Sequence, residues 1–312
     1  MISSDRIAVT SRSFSKNKIL REELTALYPN VTFNDAGTSL KGDALVDFLT
    51  GHTRAIVALE KFDEGVVARL PDLQIISKYG VGLDNIDAAA LNKHGKRLGW
   101  RGGVNRRSVA ELALGFMIAL MHNVPAASAA VRAGGWAQMI GRQLTGKTVG
   151  IIGCGHVGKE LVGLLQPFDV TILVHDIVTY TEFYARYSIE AVSLSSLMHR
   201  SDIATIHVPL DDSTRGIISA ERIAEMKPGA VLINTARGGL IDDDAVKIAL
   251  KSGRLSGIGF DVFAIEPPHD IEFLNMPNVL ATPHIGGSAE EAILAMGRAA
   301  IEGLENNAVP LI

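Results

Sequence analysis

Three side chains with different chemistry follow apolar runs of the sequence: Arg237 after AVLINT, Glu266 after SGIGFDV and His284 after NVLATP. A guanidinium can hold a carboxylate and a carbonyl oxygen through planar, charge-assisted hydrogen bonds. An imidazole exchanges protons near neutral pH, and a carboxylate beside it favours its protonated form and fixes its tautomer. The set therefore suits hydride transfer at a 2-oxo or 2-hydroxy acid, with His284 passing a proton to or from the C2 oxygen.

Each of these residues also has a plainer interpretation when it is taken alone. Arg237 suits a surface ion pair, Glu266 suits an exposed turn before Pro267 and Pro268, and His284 suits a packing role. All three nevertheless follow runs that are typical of buried strands. Because parallel sheets place ligands at the carboxyl ends of their strands, we expect the three side chains to converge on one crevice.

A glycine-rich turn lies upstream, in TVGIIGCGHVGKELVGLL. Gly153, Gly155 and Gly158 have the G-x-G-x-x-G spacing, directly after a β-branched strand and at the start of an apolar-periodic helix. Such a turn lets the backbone approach a pyrophosphate, which the free N–H groups of the helix then bind. Asp176 follows Gly158 by 18 residues and ends the next strand, where a carboxylate accepts hydrogen bonds from the adenosine ribose and repels a 2′-phosphate. The pattern predicts a dinucleotide site that favours NAD over NADP; the alternative is a structural turn followed by a surface aspartate.

The elements that must position these residues alternate between short β-branched runs and helical patterns, which predicts an α/β fold with parallel sheets covered by helices. The predicted strands are IAVT (7–10), RAIVAL (54–59), LQIIS (73–77), TVGIIG (148–153), VTILVHD (170–176), IATIHV (203–208), AVLINT (230–235), SGIGFDV (256–262) and NVLATP (278–283). Helices are predicted at 16–27, 42–49, 108–124 and 288–307. The strands form two series, so we expect two α/β units, the second beginning near residue 100. The stretch at 108–124 is apolar on most of its circumference and must be buried, between domains or at a subunit interface.

Composition narrows the class of protein. The chain has 312 residues, 47% of them hydrophobic and 21% charged, with a formal net charge of −4. The sequence has no excess of positive charge of the kind that indicates nucleic-acid binding. No apolar run is long enough to span a bilayer. We expect no signal peptide in the N-terminal MISSDRIAVTSRSF and no metal site. The single cysteine, Cys154, is interpreted as a small buried residue and fits a cytoplasmic protein.

Seven ordered segments carry a resemblance to a known family: SKYGVGLDNID (77–87), NRRSVAELALGFMIAL (105–120), LTGKTVGIIGCGHVGKE (144–160), HVPLDDSTRGII (207–218), INTARGGLIDDDAV (233–246), GFDVFAIEPP (259–268) and TPHIGGSAEEA (282–292). The sequence resembles the D-isomer-specific 2-hydroxy acid dehydrogenases, of the phosphoglycerate or glycerate dehydrogenase type. Several segments in this order are far more specific than the glycine turn alone.

The resemblance implies a role for each matching position. Arg237, Glu266 and His284 match the catalytic residues. The positions implied for NAD are Gly153, Gly155, His156, Val157, Gly158, Asp176, Pro209, Thr235, Ala236, Asp261 and Gly287. Those implied for the substrate are Lys78, Tyr79, Gly80, Val81 and Gly82, with the backbone amides of Val81 and Gly82 receiving the carboxylate. Among these roles, Asp176 would bind the ribose and Asp261 the carboxamide.

The resemblance also implies an architecture. Two Rossmann-like domains with doubly wound parallel sheets would hold the active site in the cleft between them. The substrate-binding domain would comprise 1–100 plus 288–312, because the last helix returns to it, and the NAD-binding domain 101–287. A homodimer would form through the 100–145 region, which would explain the apolar helix there. Since the sequence ends soon after its final helix, we expect no regulatory domain of the kind many phosphoglycerate dehydrogenases carry.

Some positions depart from the commoner pattern. His156 stands where the family often has Arg, and GWRGGVN (99–105) replaces a proline-containing stretch. Lys78 precedes the carboxylate loop where phosphoglycerate-type members often have Arg. One hypothesis is that Lys78 binds a phosphate or second acidic group of the substrate; the alternative is a solvated lysine at a strand end.

The sequence therefore predicts an NAD-dependent oxidoreductase for a small D-2-hydroxy acid and its 2-oxo acid. Glycerate/hydroxypyruvate, glycolate/glyoxylate and 3-phosphoglycerate all remain open as substrates. A second hypothesis is an NAD-sensing binding module of the same fold with little turnover. Formate and phosphite oxidation fit less well, because formate dehydrogenases pair the histidine with Gln instead of Glu266 and phosphite enzymes have Lys in place of Val81.

Overall fold

Two compact units make up the chain. The computed structural model describes residues 5–310. Unit 1 comprises Met1–Asn105 and Glu290–Ile312, and unit 2 comprises Arg106–Ala289; the sequence-based division was 1–100 plus 288–312 and 101–287. The outermost residues of those ranges, 1–4 and 311–312, lie outside the described part, as does the start of the stretch judged to lack a signal peptide.

Unit 1 is built on a five-stranded parallel sheet. Its strands are β1 (Ile7–Val9), β2 (Val31–Phe33), β3 (Arg54–Val57), β4 (Ile75–Lys78) and β5 (Arg97–Gly99), in the spatial order β2-β1-β3-β4-β5. Its first helices are α1 (Arg12–Lys16), α2 (Lys18–Leu27), α3 (Gly42–Leu49), α4 (Glu64–Val67) and α5 (Ala88–Lys93). Ile7 and Val9 pack into one apolar cluster and Ala8 into another. The sheet is therefore covered on both faces, as near-continuous apolar strands require.

Unit 2 is built on a seven-stranded parallel sheet. Its strands are β6 (Thr148–Ile152), β7 (Thr171–His175), β8 (Glu190–Ala191), β9 (Ile203–Ile206), β10 (Ala230–Asn234), β11 (Leu255–Phe260) and β12 (Val279–Ala281), in the spatial order β12-β11-β10-β9-β6-β7-β8. Val149 and Ile151 face one apolar cluster and Ile152 the other. The strand order reverses between β6 and β9, which is the switch point where doubly wound sheets bind ligands. The predicted α/β class with parallel sheets is confirmed.

The helices of unit 2 include the apolar stretch singled out in the sequence. They are α6 (Arg106–Met121), α7 (Val124–Arg132), α8 (His156–Leu165), α9 (Thr181–Arg186), α10 (Leu194–Arg200), α11 (Ala220–Glu225), α12 (Asp243–Lys251) and α13 (Ile271–Leu274), with a 3-10 turn at Gln166–Phe168. The single helix predicted at 108–124 is wrong at its end, because α6 stops at Met121. Asn123 adopts a left-handed conformation with φ 55°, which Asn tolerates, and Pro125 lies in the first turn of α7. Among the described residues no single helix is long and apolar enough to cross a membrane, and α6 with α7 passes only as a pair bent by 65°.

The last helix, α14 (Glu290–Gly303), belongs to unit 1. The Ser77 hydroxyl of β4 donates to the Ala300 carbonyl at 2.6 Å. A Cβ on Gly99 of β5 would lie 2.1 Å from the Gly303 carbonyl oxygen, so helix and strand are in direct backbone contact. Unit 1 is thus completed by residues that follow unit 2 in the sequence.

Candidate functional site

The three chemical side chains follow three adjacent strands of unit 2. Arg237 comes after β10, Glu266 after β11 and His284 after β12, and these strands are neighbours in the sheet. Because all three strands run parallel, their carboxyl ends lie at one edge of the sheet. The fold thus brings together the loops predicted to carry the chemistry.

His284 and Glu266 form a direct pair. The Nδ1 of His284 lies 2.9 Å from the Oε2 of Glu266, and the two side chains are 48% and 40% exposed. Since a carboxylate only accepts, the contact places the proton on Nδ1 and leaves Nε2 as the ring nitrogen for a substrate. The other oxygen of Glu266 accepts from the Phe263 amide at 3.1 Å. The carboxylate is therefore oriented by its own loop before it orients the imidazole.

The loop that carries Arg237 is shaped by Asn234, the last residue of β10. Its side chain is 2% exposed; its Nδ2 donates to the Arg237 carbonyl at 2.8 Å and its Oδ1 accepts from the Ala236 amide at 3.0 Å. The guanidinium of Arg237 donates from Nη1 to the Ala236 carbonyl at 2.7 Å. Sequence reasoning missed Asn234, although a buried polar residue at a strand end is a usable signal.

The Arg237 and Glu266 loops touch through their backbones. A Cβ on Gly238 would lie 1.9 Å from the Phe263 carbonyl oxygen and 2.5 Å from the Ala264 nitrogen. No other residue type fits at this position without moving one loop, because backbone cannot yield as a flexible side chain does. Gly238 therefore fixes the separation of the guanidinium loop from the loop that holds the carboxylate.

Asp261 lies directly beneath the histidine loop and is 1% exposed. Its Oδ1 accepts from the Thr282 hydroxyl at 2.5 Å and from the Ile285 amide at 2.7 Å, and its Oδ2 accepts from the Gly286 amide at 2.7 Å. The Ser108 hydroxyl of α6 holds the same loop from another side, donating to the Gly286 carbonyl at 2.6 Å. Sequence reasoning did not single out Thr282 or Ser108.

The glycine turn joins β6 to α8 as predicted from its spacing. Gly153 has φ 92°, and a Cβ on Gly158 would lie 2.3 Å from the Gly153 carbonyl oxygen. A Cβ on Gly155 would meet nothing within 4 Å, and no described side chain caps the first turn of α8. The space over Gly155 and the uncapped amides of a ten-residue helix are what a pyrophosphate requires. His156 and Val157 are the first two residues of that helix.

Asp176 lies beside the turn. Its Oδ2 accepts from the Cys154 amide at 2.6 Å and its Oδ1 from the Val178 amide at 2.8 Å, so the carboxylate is fixed with acceptor sites remaining on both oxygens. Cys154 is fully buried, and burial raises the pKa of its thiol to about 11. The thiol stays protonated near neutral pH, which confirms its interpretation as a small buried residue.

The other cofactor positions lie in the same unit. Thr235 and Ala236 follow β10, Pro209 follows β9, and Gly287 closes the histidine loop. Within residues 5–310, two buried polar atoms in this region have no hydrogen-bond partner: the Oγ1 of Thr235 and the Nδ1 of His207. Buried polar atoms in native proteins nearly always have partners, so these two are open to a bound ligand. No group of three or more metal-binding side chains occurs in the described part of the chain.

The predicted carboxylate loop begins at the end of β4 in unit 1. Lys78 is 4% exposed, and its Nζ donates to the Ala58 carbonyl and, at 2.7 Å, to the Asn85 side chain. The alternative of a solvated lysine is therefore wrong. Tyr79 is buried too, with its ring edge-on to Phe14 at 5.6 Å.

The remainder of that loop presents backbone. Gly80 has φ 125°, and the Val81 carbonyl accepts from the Trp100 indole at 2.9 Å. In the part of the chain that the structure describes, neither the Val81 amide nor the Gly82 amide donates a hydrogen bond. Two consecutive amides in a glycine-containing loop can bind an anion, which is the role that the family resemblance implies for them toward the substrate carboxylate.

Comparison with known proteins identifies the family. The profile described as "D-isomer specific 2-hydroxyacid dehydrogenase, NAD binding domain" matches residues 114–286. A D-3-phosphoglycerate dehydrogenase of Methanocaldococcus jannaschii is 36% identical over 92% of the chain and 55% of its own length. A hydroxypyruvate reductase of Thermotoga maritima is 39% identical over 74% of the chain and 76% of its own length. The solved structure of a glyoxylate reductase from Paecilomyes thermophila superposes with a TM-score of 0.84 at 26% identity, over 96% of this chain and 94% of that one.

These matches agree with the geometry of unit 2. The chain spans only 55% of the length of the Methanocaldococcus jannaschii phosphoglycerate dehydrogenase, but the family profile falls entirely within unit 2. It spans the glycine turn, Asp176, Arg237, Glu266 and His284. The chain belongs to the D-isomer specific 2-hydroxyacid dehydrogenases, and residues 114–286 of unit 2 match the NAD-binding domain of that family.

Proposed function

We propose that the protein is an NAD-dependent dehydrogenase that interconverts a small D-2-hydroxy acid and its 2-oxo acid. The observation that carries this proposal is the 2.9 Å contact between His284 Nδ1 and Glu266 Oε2. That contact leaves Nε2 available at a strand end of an NAD-binding domain. An imidazole held in this way is suited to general acid–base chemistry.

Each of the three proposed catalytic residues has one task when the oxo acid is reduced. Arg237 orients the oxo acid by hydrogen bonds to its carboxylate and carbonyl oxygens. His284 donates its Nε2 proton to the C2 oxygen as the carbonyl is reduced, and Glu266 stabilises the imidazolium that reacts. NADH, when bound, supplies the hydride. In the oxidising direction neutral His284 accepts the hydroxyl proton.

The residues of unit 2 fit NAD. The open space over Gly155 and the uncapped start of α8 suit the pyrophosphate. Asp176 is held where its free acceptor sites suit the ribose hydroxyls and where a 2′-phosphate would be repelled. The unpartnered Oγ1 of Thr235 supports a role for that residue, with Pro209, Ala236 and Gly287, around the nicotinamide half.

We propose that the substrate is a 2-oxo acid of two or three carbons, with or without a phosphate. The names of the relatives support this class, since they include a hydroxypyruvate reductase, D-3-phosphoglycerate dehydrogenases and a glyoxylate reductase. The free amides of Val81 and Gly82 support binding of the substrate carboxylate by unit 1.

A substrate panel tests the function. NADH oxidation would be followed by absorbance with hydroxypyruvate, glyoxylate, pyruvate and phosphohydroxypyruvate, and NADH binding by fluorescence. We expect turnover with at least one of the four and preference for NADH over NADPH. Tight NADH binding with no turnover on any oxo acid would contradict an enzyme and favour the NAD-sensing module.

The proton donor is tested in the same assay. His284→Ala should lower kcat by about 10²–10⁴-fold, the usual contribution of a general acid, while NADH binding persists. His199→Ala is the matched control, because His199 is an exposed histidine of unit 2 on the last turn of α10. Near-normal turnover of the His284 variant would exclude it as the donor.

We further propose a homodimer formed through the 100–145 region. None of the residues of α7 is buried, and the segment after it exposes Trp136 at 87% and Ile140 at 96%. Apolar side chains this exposed, next to an apolar helix, are typical of a protein interface. A cytoplasmic location is proposed as well, since the only cysteine is a free thiol, which suits a reducing compartment.

A further inference from the structure

Asp261 makes more contacts to the histidine loop than a cofactor contact alone would need. Its carboxylate accepts hydrogen bonds from the Thr282 hydroxyl and from the Ile285 and Gly286 amides, at 2.5, 2.7 and 2.7 Å. A carboxylate has about four acceptor sites, so three are already used within the protein. Charge-assisted hydrogen bonds of this kind are about twice as strong as neutral ones, and with Asp261 1% exposed they are shielded from water.

The backbone of Asp261 holds the catalytic residue itself. The His284 amide donates to the Asp261 carbonyl at 2.9 Å and to the Thr282 carbonyl at 3.0 Å. In addition, the Asp261 amide donates to the Asn234 carbonyl at 2.9 Å, which ties the histidine loop to β10. One residue thus contacts every position from 282 to 286 except Pro283, through side chain or main chain.

His284 needs this support because its backbone is strained. Its φ is 56°, in the left-handed region that only a few per cent of residues other than Gly adopt. Such a conformation persists only where the surroundings over-determine it. The residues on either side of His284, at 282 and at 285–286, are the ones that donate to the Asp261 carboxylate.

We infer that Asp261 is the positioning residue of His284: its buried carboxylate holds the loop 282–286 in the one conformation that places Nδ1 on Glu266. This inference rests on the proposed function, in which His284 is the proton donor. It adds a task for Asp261, which the family resemblance assigns to the carboxamide of NAD, and it assigns Thr282 a role for the first time. The fourth acceptor site of the carboxylate leaves room for a cofactor contact, but the loop depends on the other three.

Thr282→Val is the sharpest variant, because it removes one donor to Asp261 and keeps the shape of the side chain. Asp261→Asn is the second: it keeps the shape but replaces an acceptor by an NH₂ group that faces backbone donors. Thr282→Ser restores the hydroxyl and serves as the conservative rescue. ¹⁵N NMR of the ring nitrogens of His284, assigned by comparison with His284→Ala, reports its tautomer in the protein without cofactor.

We expect the Nδ1–H tautomer in the parent protein and in Thr282→Ser, and a shift toward the Nε2–H tautomer in Thr282→Val and Asp261→Asn. In parallel, kcat should fall about tenfold or more in Thr282→Val, since an ångström of misplacement can cost about 10²-fold. The NADH dissociation constant of Thr282→Val should change by less than about twofold, because Thr282 has no proposed contact with the cofactor.

An unchanged tautomer in both Thr282→Val and Asp261→Asn would overturn the positioning role, and a loss of NADH affinity confined to Asp261→Asn would then assign Asp261 to the cofactor alone. Failure of the proposed function gives a different result. In that case the parent protein turns over no oxo acid, while the NMR experiment still reports whether Asp261 sets the histidine loop.

Discussion

At the scale of single residues, His284 has the arrangement that its proposed acid–base role requires. One ring nitrogen is held by Glu266 at 2.9 Å, the other remains available, and about half of the side chain is exposed, 48%. His207 in the same unit shows the opposite arrangement: its Nε2 contacts the Thr205 hydroxyl at 3.0 Å, and burial lowers its pKa to about 4. A neutral, enclosed imidazole can be a hydrogen-bonding group but not a proton donor near pH 7.

Lys78 is predicted to position the carboxylate loop rather than to contact a phosphate. Its ammonium is turned toward the Ala58 carbonyl and Asn85, which lie on the segments flanking the loop. Lys78→Met should therefore raise KM for hydroxypyruvate and for phosphohydroxypyruvate by the same factor, about tenfold for one lost charged contact. Lys61→Met is the control, because the Lys61 side chain is 79% exposed. A rise confined to phosphohydroxypyruvate would show instead that Lys78 binds the phosphate.

His207 predicts a loss of stability in acid. The pKa is about 4 in the folded protein and about 6.5 in an unfolded chain. Between these values the unfolded state binds a proton that the folded state does not, so the free energy of unfolding falls as the pH falls, by up to roughly 3 kcal/mol. Asp243 acts in the opposite direction, since burial raises its pKa to about 6.

The His207 contribution is isolated by comparison with a variant. The thermal midpoint of His207→Gln should decline less steeply than that of the parent between about pH 7 and pH 4.5, because the variant lacks the proton that must be taken up. His199→Gln, at an exposed position, should keep the parent slope. Equal slopes in all three proteins would contradict the assignment.

At the scale of elements, α8 is predicted to depend on Gly158 for its contact with β6. A Cβ at this position would lie 2.3 Å from the Gly153 carbonyl oxygen, whereas a Cβ on Gly163 of the same helix would meet nothing within 4 Å. Gly158→Ala should weaken NADH binding about tenfold or more and lower the thermal midpoint. Gly163→Ala should leave NADH binding unchanged and stabilise the helix by up to about 1 kcal/mol. Isothermal titration with NADH measures the affinity of each variant. Equal NADH affinities of the Gly158→Ala and Gly163→Ala variants would contradict the role of Gly158.

The elements that the sequence predicted are those whose pattern is local. Every predicted strand run contains a strand, because apolar residues buried on both faces leave an unbroken β-branched signal. The missed strands β2, β5 and β8 have three, three and two residues and partly exposed side chains, so no such signal exists. The break between α6 and α7 was missed because apolar periodicity continues through Asn123, whose left-handed conformation the pattern does not encode.

The residues of the candidate site also fall into those that the sequence could predict and those that it could not. The positions of Arg237, Glu266 and His284 after three neighbouring strands could be predicted, because each follows an apolar run in the sequence. Thr282 and Ser108 could not, since their roles depend on partners 21 and 178 residues away that only the fold brings near. The buried head group of Lys78 was missed for a related reason: its partners Ala58 and Asn85 lie on other segments.

At the scale of the whole molecule, the proposed homodimer makes a direct prediction. Ile140→Glu combined with Trp136→Glu should place two charges on the segment that follows α7, and charges at the centre of an apolar interface prevent association. Light scattering should give twice the 33.3 kDa chain mass for the parent and one chain mass for the variant. Ile248→Glu, on α12 with 68% exposure, is the control and should remain dimeric. A parent protein of single chain mass would contradict the dimer.

The return of α14 to unit 1 has a consequence for synthesis on the ribosome. Domains generally fold as units while the chain emerges from its N-terminus. The sequence of unit 2 is complete at Ala289, but β4 and β5 still lack their contacts with Ala300 and Gly303 at that stage. Unit 2 is therefore the first of the two units that can fold to completion, although most of unit 1 precedes it in the sequence, and unit 1 must wait until α14 has been synthesised.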